Sequence, residues 1–419
     1  MNAAHVAVAP PRAGSGIPAA RSAAERQRAV RRRVGIAWGL LVVNALTYYG
    51  SVLPIPSAAG KLITQGALPL MLAVALSVNR RAVIRPNVFL FLVSLLALEA
   101  LITTLQPQHL GTLYRTFRLA EFVAGLWLLT PWWARRDLLL VRYHLISLSV
   151  ALGTVVLGLL VAPGAAMAGG RLGGALWGIP ATEVGHYSAV ITGLSIVLWL
   201  GGMMRGKRTL LVSIAGITLL LLSHTRTALL ALAASLLVAG LSMIVVRARV
   251  RRFFAASALI VSLGVMTTAG VVAEWLARGQ SAQQLSSLTG RTDFWSLVLN
   301  MPRDRFQEIF GFGLSNGSVN GLPIDSNWLV AYLEQGLFGV VVCVAILLFL
   351  LVAAFFQPPS TKRALALFLV TYSLIASFTQ VGFANPTTYL LELTLAASLL
   401  MPSVARRQRW RRRMSAVAV

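Results

Sequence analysis

Charge is scarce in this sequence, and negative charge is scarcest: 12 Asp and Glu residues stand against 37 Lys and Arg in 419, and charged residues make up 12% of the whole. A soluble domain carries about 25% charged residues, so there is too little here to solvate a globular surface. Cysteine is reduced to one residue, Cys343, inside an apolar run; this excludes a disulfide framework and a thiolate metal site. The formal net charge of +25 is large enough for a nucleic-acid binder. However, the basic residues punctuate apolar runs and form no continuous stripe, so no nucleic-acid partner is expected.

What the chain does have is apolar surface. It is 57% hydrophobic, with a mean hydropathy of +0.76. A bilayer core of about 30 Å is crossed by roughly 20 apolar residues in a helix. The runs predict an all-α integral membrane protein of about twelve transmembrane helices, at 34–54, 60–78, 87–104, 117–133, 142–162, 186–204, 208–223, 226–246, 253–273, 327–356, 363–381 and 388–403. The short turn at Ser223–Arg226 also allows one broken helix in place of two. Residues 1–33 carry Ala, Pro and seven Arg without an apolar run. They are expected to be a disordered basic arm, too long for the n-region of a signal peptide. The membrane domain is then 34–403, surrounded by membrane lipids, and 404–419 is a basic tail.

Orientation follows from the loops. With both the N- and C-termini cytoplasmic, all but nine basic residues fall in or beside cytoplasmic segments. They run from Arg80, Arg81 and Arg85 through Arg247, Arg249, Arg251 and Arg252 to the tail Arg406–Arg413. This is the positive-inside pattern of a multi-pass cell-membrane protein, and a shift of one helix would reverse it.

The nine exceptions carry the information: Lys61, Arg115, Arg118, Arg171, Arg226, Arg278, Arg291, Arg303 and Arg305. Arg115 and Arg118 are three residues apart and share a face at the start of the fourth span, with Glu121 about one turn deeper. Arg226 opens the eighth span in Ser223-His224-Thr225-Arg226-Thr227. Arg171 lies in Gly169-Gly170-Arg171-Leu172-Gly173-Gly174, and Arg291 follows Gly290 in the longest outer loop. Arginine presents a fixed fork of donors that suits phosphate oxygens. Four segments bring such forks to one membrane face, so an anionic headgroup is the simplest common ligand, and a lipid diphosphate fits its size and charge. Structural readings stand beside this one. Arg118 can pair with Glu121, Arg303 and Arg305 can form a solvated loop face with Asp304 and Glu308, and Arg226 and Arg291 can be snorkelling interfacial residues.

The loop 274–326 is the only sizeable extramembrane segment and is expected to fold over the bundle as a lid. Thr292 can cap an apolar helix Asp293–Asn300, and a second helix, Arg303–Phe310, would stop at Gly311. The outer histidines His109, His186 and His224 lie far apart and follow no ligand spacing, so neither a metal nor a cofactor is expected.

Gly290-Arg291-x-x-x-Trp295, then Gly311-Phe312-Gly313, then Asp325-Ser326-Asn327-Trp328-Leu329 with Glu334-Gln335-Gly336-Leu337-Phe338-Gly339, resembles the O-antigen ligase and polymerase family. Ser223-His224-Thr225-Arg226 is similar to that family's arginine-bearing helix start, and Arg171-x-Gly-Gly with Ile179-Pro180 to its arginine loop. The resemblance covers about residues 110–340. The ligases carry a His-Asn pair where this chain has Asp325 and Ser326, and an aspartate there is commoner among polymerases. The resemblance implies a GT-C-like helical architecture. It also implies metal-independent glycan transfer or polymerisation, outside the cytoplasm, from a polyprenyl-diphosphate-linked glycan to a hydroxyl on a glycan, lipid or cell-wall acceptor.

In that reading Arg115, Arg118, Arg171, Arg226 and Arg291 hold the diphosphate. Arg226 and Arg291 also stabilise the leaving charge, and Asp325 is the base for the acceptor hydroxyl. Asp325 can equally be the N-cap of the tenth span. Glu121, His224 and Glu334 are supporting candidates; Glu334 could pair with an arginine, and His224 could bond backbone. Glu183 and His186 carry little functional weight, and Glu99 and Glu392 read as packing partners of polar groups. The rival reading is a polytopic transporter or a lipid-linked oligosaccharide flippase, for which a midplane site and an internal repeat would be expected.

Overall fold

The computed structural model describes residues 17–46, 50–104, 110–135, 137–259, 270, 291–315, 317–319, 322–380 and 382–402. Residues 1–16, His109, most of the expected span 253–273, the whole of 274–290 with Arg278 and Gly290, and the tail 404–419 lie outside the described residues. The chain is helical almost throughout. Its longer helices are α1 (Ile17–Ala45), α2 (Ser57–Val78), α3 (Val88–Thr103), α4 (Leu110–Leu129), α5 (Leu139–Val161), α6 (Ala181–Leu200), α7 (Gly206–Leu222) and α8 (Arg226–Leu241). Residues 248–259 are also helical. The segment before α11 contributes α9 (Arg291–Leu299) and α10 (Arg305–Phe310), and the bundle closes with α11 (Asn327–Phe355), α12 (Thr361–Ala376) and α13 (Thr388–Leu400).

Local chemistry sets several of these ends. Asn87, Ser360 and Thr387 each cap the following helix by accepting a backbone N–H with the side chain. Asp304 and Gln307 form a reciprocal capping box at α10, and Gly311 ends that helix at φ 75°. Ser223–Thr225 separates α7 from α8, with His224 at φ 50°.

Three local expectations change. Residues 17–33, expected to be disordered, continue α1: their Ala and Arg residues are strong helix formers that extend a helix already nucleated by the span. Arg31 is held by Asp137 at 3.2 Å. The first loop helix starts at Arg291, so Thr292 lies inside it and does not cap it. Arg303 is not a solvated loop cation. It donates to the carbonyls of Tyr332 and Val298 at 3.0 and 3.1 Å, with its guanidinium 4.0 Å from the Tyr332 ring centroid. Burial lowers its pKa from the ordinary value.

Among the described residues four helices, α2, α5, α6 and α11, are long and apolar enough to cross a membrane, and α3, α8 and α13 are shorter apolar helices. The outer faces carry large exposed apolar side chains such as Leu62, Leu70, Val150, Leu160, Leu210, Leu211 and Leu230. Such a belt suits lipid and would drive association in water. The core sits along α6, α12 and α13, where most residues are buried.

The segment 309–313 is bound to α11 at two glycines. Gly336 interrupts α11 at φ 61°, ψ −160°, a region almost closed to other residues. A Cβ there would press on the Ile309 backbone and lie 2.6 Å from the Gly311 nitrogen. One on Gly311 would lie 2.5 Å from the Gln335 nitrogen. Phe312 N–H and Gly313 N–H then donate to the Leu333 and Glu334 carbonyls, both at 2.9 Å, which the kink leaves available. A two-residue antiparallel ladder, Ser318–Val319 with Leu322–Pro323, follows before α11.

Candidate functional site

At one end of the bundle lies a cavity of about 1340 Å3. Ligand pockets for small molecules run about 300–1,000 Å3, so this one has room for a longer, branched ligand. Its wall is built from the end of α1, the starts of α2, α4, α6 and α13, and the segments 165–180, 315–325 and 380–387. Four cations face it: Lys61 from α2, Arg115 and Arg118 from α4, and Arg171 from the loop after α5. The lining carboxylates are Glu183 and Asp325, so positive charge is in surplus.

Each arginine is fixed from behind. Arg118 donates to Asn44 Oδ1 and lies 5.9 Å from the Tyr114 ring centroid. Among the described residues no contact ion pair with Glu121 forms; the hydrogen-bond partner of Arg118 is the neutral Asn44 amide, and Glu121 acts on it only at longer range. Arg115 donates to the Ser315 carbonyl. Arg171 donates through Nε to the Ser223 carbonyl at 3.1 Å, and burial lowers its pKa from the ordinary value. The loop that carries Arg171 folds on its glycines: Gly174 N–H donates to the Ile179 carbonyl at 2.8 Å, and Gly173, Gly174, Ile179 and Pro180 all line the cavity.

Glu334 is buried behind this wall and pairs with no arginine among the described residues. Its Oε1 accepts from Ser315 N–H at 2.9 Å, Ser315 Oγ at 2.8 Å and Gly317 N–H at 2.9 Å, and its Oε2 from Asn385 Nδ2 at 3.3 Å. Ser315, Gly317 and Asn385 all line the cavity. The carboxylate therefore ties two wall segments together and presents the Ser315 carbonyl to Arg115. Asn327, the first residue of α11, does the same for the next segment: its Oδ1 accepts from Gly382 N–H at 3.1 Å and Phe383 N–H at 2.7 Å. These residues of the resemblance are thus the frame of the wall.

Asp325 is exposed and lines the cavity. Ser326, not Asp325, occupies the N-cap position of α11, which removes the capping reading. Glu183 also lines the cavity and accepts from the fully buried Tyr187 Oη at 2.5 Å. Below it, His186 Nε2 lies 2.8 Å from Glu392 Oε1, and His144 Nε2 lies 3.9 Å from the same oxygen. Trp38 Nε1 donates to His144 Nδ1 at 3.4 Å. All of these groups are buried, and the Tyr372 and Tyr389 rings flank His186.

The structure thus brings together Arg115, Arg118, Arg171 and Asp325. Arg226, Glu121, His224 and Glu334 are not among the lining residues. Arg226 opens α8, and it is Ser223, three residues earlier, that meets the cavity wall through Arg171. Arg291 begins α9, but its side chain lies outside the described residues.

No protein-family model and no curated protein matches this chain. The site must therefore be read from its own chemistry. Lining residues that sequence reasoning did not weigh include Asn44, Gln65, Gln380 and Asn385. Asn44 carried a signal, a lone amide near the end of an apolar span; the others did not stand out.

Proposed function

We propose that this chain is a membrane glycosyltransferase of the O-antigen ligase and polymerase type. It moves glycan from a polyprenyl-diphosphate donor onto a hydroxyl acceptor, without a metal, at the extracytoplasmic face of the cell membrane. It does so from a bundle of about twelve spans with both termini in the cytoplasm. The acceptor is a second glycan, a lipid or a cell-wall polymer.

The observation that carries this reading is the convergence of Lys61, Arg115, Arg118 and Arg171 on one cavity, with Asp325 in its wall. The leaving diphosphate gains negative charge as the glycosidic bond breaks. Cations held in advance around the cavity stabilise that charge more than they stabilise the intact donor. The helix ends that line the cavity lie opposite the loops bearing Arg80, Arg81, Arg205, Lys207, Lys362 and Arg363, which agrees with an outward-facing site. Asp325 meets the acceptor from the exposed wall. Arg291 completes the clamp in this reading, and Arg226 acts at one remove, in the helix that follows the turn holding Arg171.

The test uses purified protein in proteoliposomes with a lipid-diphosphate-linked glycan, without ATP or an ion gradient. Lengthened or transferred glycan and released polyprenyl diphosphate are expected; the donor recovered unchanged would overturn the proposal. One observation favours a transporter or flippase as the second reading: the His144–Glu392–His186 cluster buried among α5, α6 and α13, since intramembrane ionisable groups often mark proton paths. Glycan crossing the bilayer intact, and only under a proton gradient, would select it.

A further inference from the structure

The cavity contains two carboxylates, and they are not equivalent. Asp325 is exposed and sits in the loop before α11. Glu183 is half-buried in the first turn of α6, a helix whose following residues are almost all buried. Tyr187 lies one turn further along the same face, is wholly buried, and donates its hydroxyl to Glu183 Oε2 at 2.5 Å. The Tyr187 ring packs against His186 with centroids 5.5 Å apart, and His186 is held by Glu392. The tyrosine therefore has no room to swing away, and it fixes the carboxylate from below. Asp325, exposed and in a loop, is not carried on a packed helix.

We infer that Glu183, held by Tyr187, is the catalytic base that takes the proton of the acceptor hydroxyl, with Asp325 serving to bind the acceptor. The inference rests on the transferase reading. In the step, the acceptor oxygen forms a bond to the anomeric carbon and its proton passes to the Glu183 carboxylate. The bond from that carbon to the diphosphate breaks, and its electron pair leaves on the diphosphate oxygen beside the arginines. Glu183 then returns the proton to water. Tyr187 is a positioning residue: it touches Glu183 and not the substrate. Groups held to their productive geometry by packed neighbours on a rigid helix are the effective ones.

Tyr389 from α13 and the His186–Glu392 pair pack beside Tyr187, and Arg171, Arg115, Arg118, Lys61, Tyr114 and Asp325 line the same cavity as Glu183. Of these, Arg171 keeps its charge throughout the working pH range.

The experiment measures transfer by purified full-length protein from a lipid-diphosphate-linked glycan, together with donor binding and a pH profile. Glu183→Gln preserves the side-chain shape and an oxygen for Tyr187. It is expected to bind donor normally, to lose roughly 10²–10⁴-fold in kcat, and to lose the rise of rate with pH. Tyr187→Phe should lower kcat about tenfold with KM kept, and Asp325→Asn should raise the acceptor KM with kcat largely kept. In Glu183→Ala, added formate should restore part of the rate. An active wild type with an equally active Glu183→Gln, or with Asp325→Asn as the variant that loses kcat and its pH dependence, overturns the assignment and leaves the transferase intact. An inactive wild type removes the transferase reading, and the inference with it.

Discussion

Gly336→Ala tests whether the broken helix is what assembles the cavity wall. The native backbone stands at φ 61°, ψ −160°, and a non-glycine residue held in such a region costs roughly 1–3 kcal/mol. The added methyl would also meet the Ile309 backbone and lie 2.6 Å from the Gly311 nitrogen. Backbone cannot turn aside as a side chain can, so overpacking adds about 1–3 kcal/mol more. The two terms act at one place and share their relief, which is withdrawal of α10 and the Gly311–Gly317 segment from α11. The variant is therefore expected to lose the Phe312 and Gly313 hydrogen bonds to Leu333 and Glu334 before the bundle melts.

Limited proteolysis of detergent-solubilised protein reads this directly, as faster cleavage within 303–317, and thermal unfolding should fall by several degrees. Gly153→Ala in α5, where an added Cβ meets nothing within 4 Å, is the control and should be neutral or slightly stabilising, since alanine is the better helix former. Wild-type protease resistance and melting in Gly336→Ala would refute the reasoning, because the methyl would then have found space that the backbone geometry denies it.

Further outcomes follow from the same contacts. Glu334→Leu strips the acceptor from Ser315 N–H and Gly317 N–H; buried unmatched donors cost about 1–3 kcal/mol each, so lower thermal stability should come with weaker donor binding as Arg115 loses its anchored carbonyl. Arg115→Ala and Arg118→Ala should each weaken binding of a polyprenyl-diphosphate analogue by roughly ten- to a hundredfold, in line with about 1.5–3 kcal/mol for a hydrogen bond to a charged group; Arg305→Ala, on the exposed side of α10, should leave titrations unchanged. His186→Ala would leave Glu392 buried without its 2.8 Å partner and should destabilise the protein by about 3–5 kcal/mol, seen as a lower midpoint in denaturant. A His186→Ala protein that melts like wild type would show that water reaches this cluster.

The composition alone determined that the chain is helical and apolar, and the periodic runs located its helices to within a few residues in most cases. This was possible because burial in lipid demands about 20 consecutive apolar residues, a signal strong enough to survive without tertiary knowledge. Where helices continue beyond that demand the sequence was mute: residues 17–33 read as a polar arm, yet they extend α1 because helix propensity and an attached span suffice. Arg115, Arg118, Arg171 and Asp325 were legible as candidates because each violates a local expectation for charge or motif.

Only the tertiary structure decided what these residues meet. Nothing in sequence separation shows that Arg118 donates to Asn44, that Glu334 accepts from Ser315, Gly317 and Asn385, or that Arg171 and not Arg226 lines the cavity. Helix rotation and loop docking fix those partners. Both depend on close approaches such as Gly311 against Gly336, in which the decisive contact is between backbones that any residue type carries.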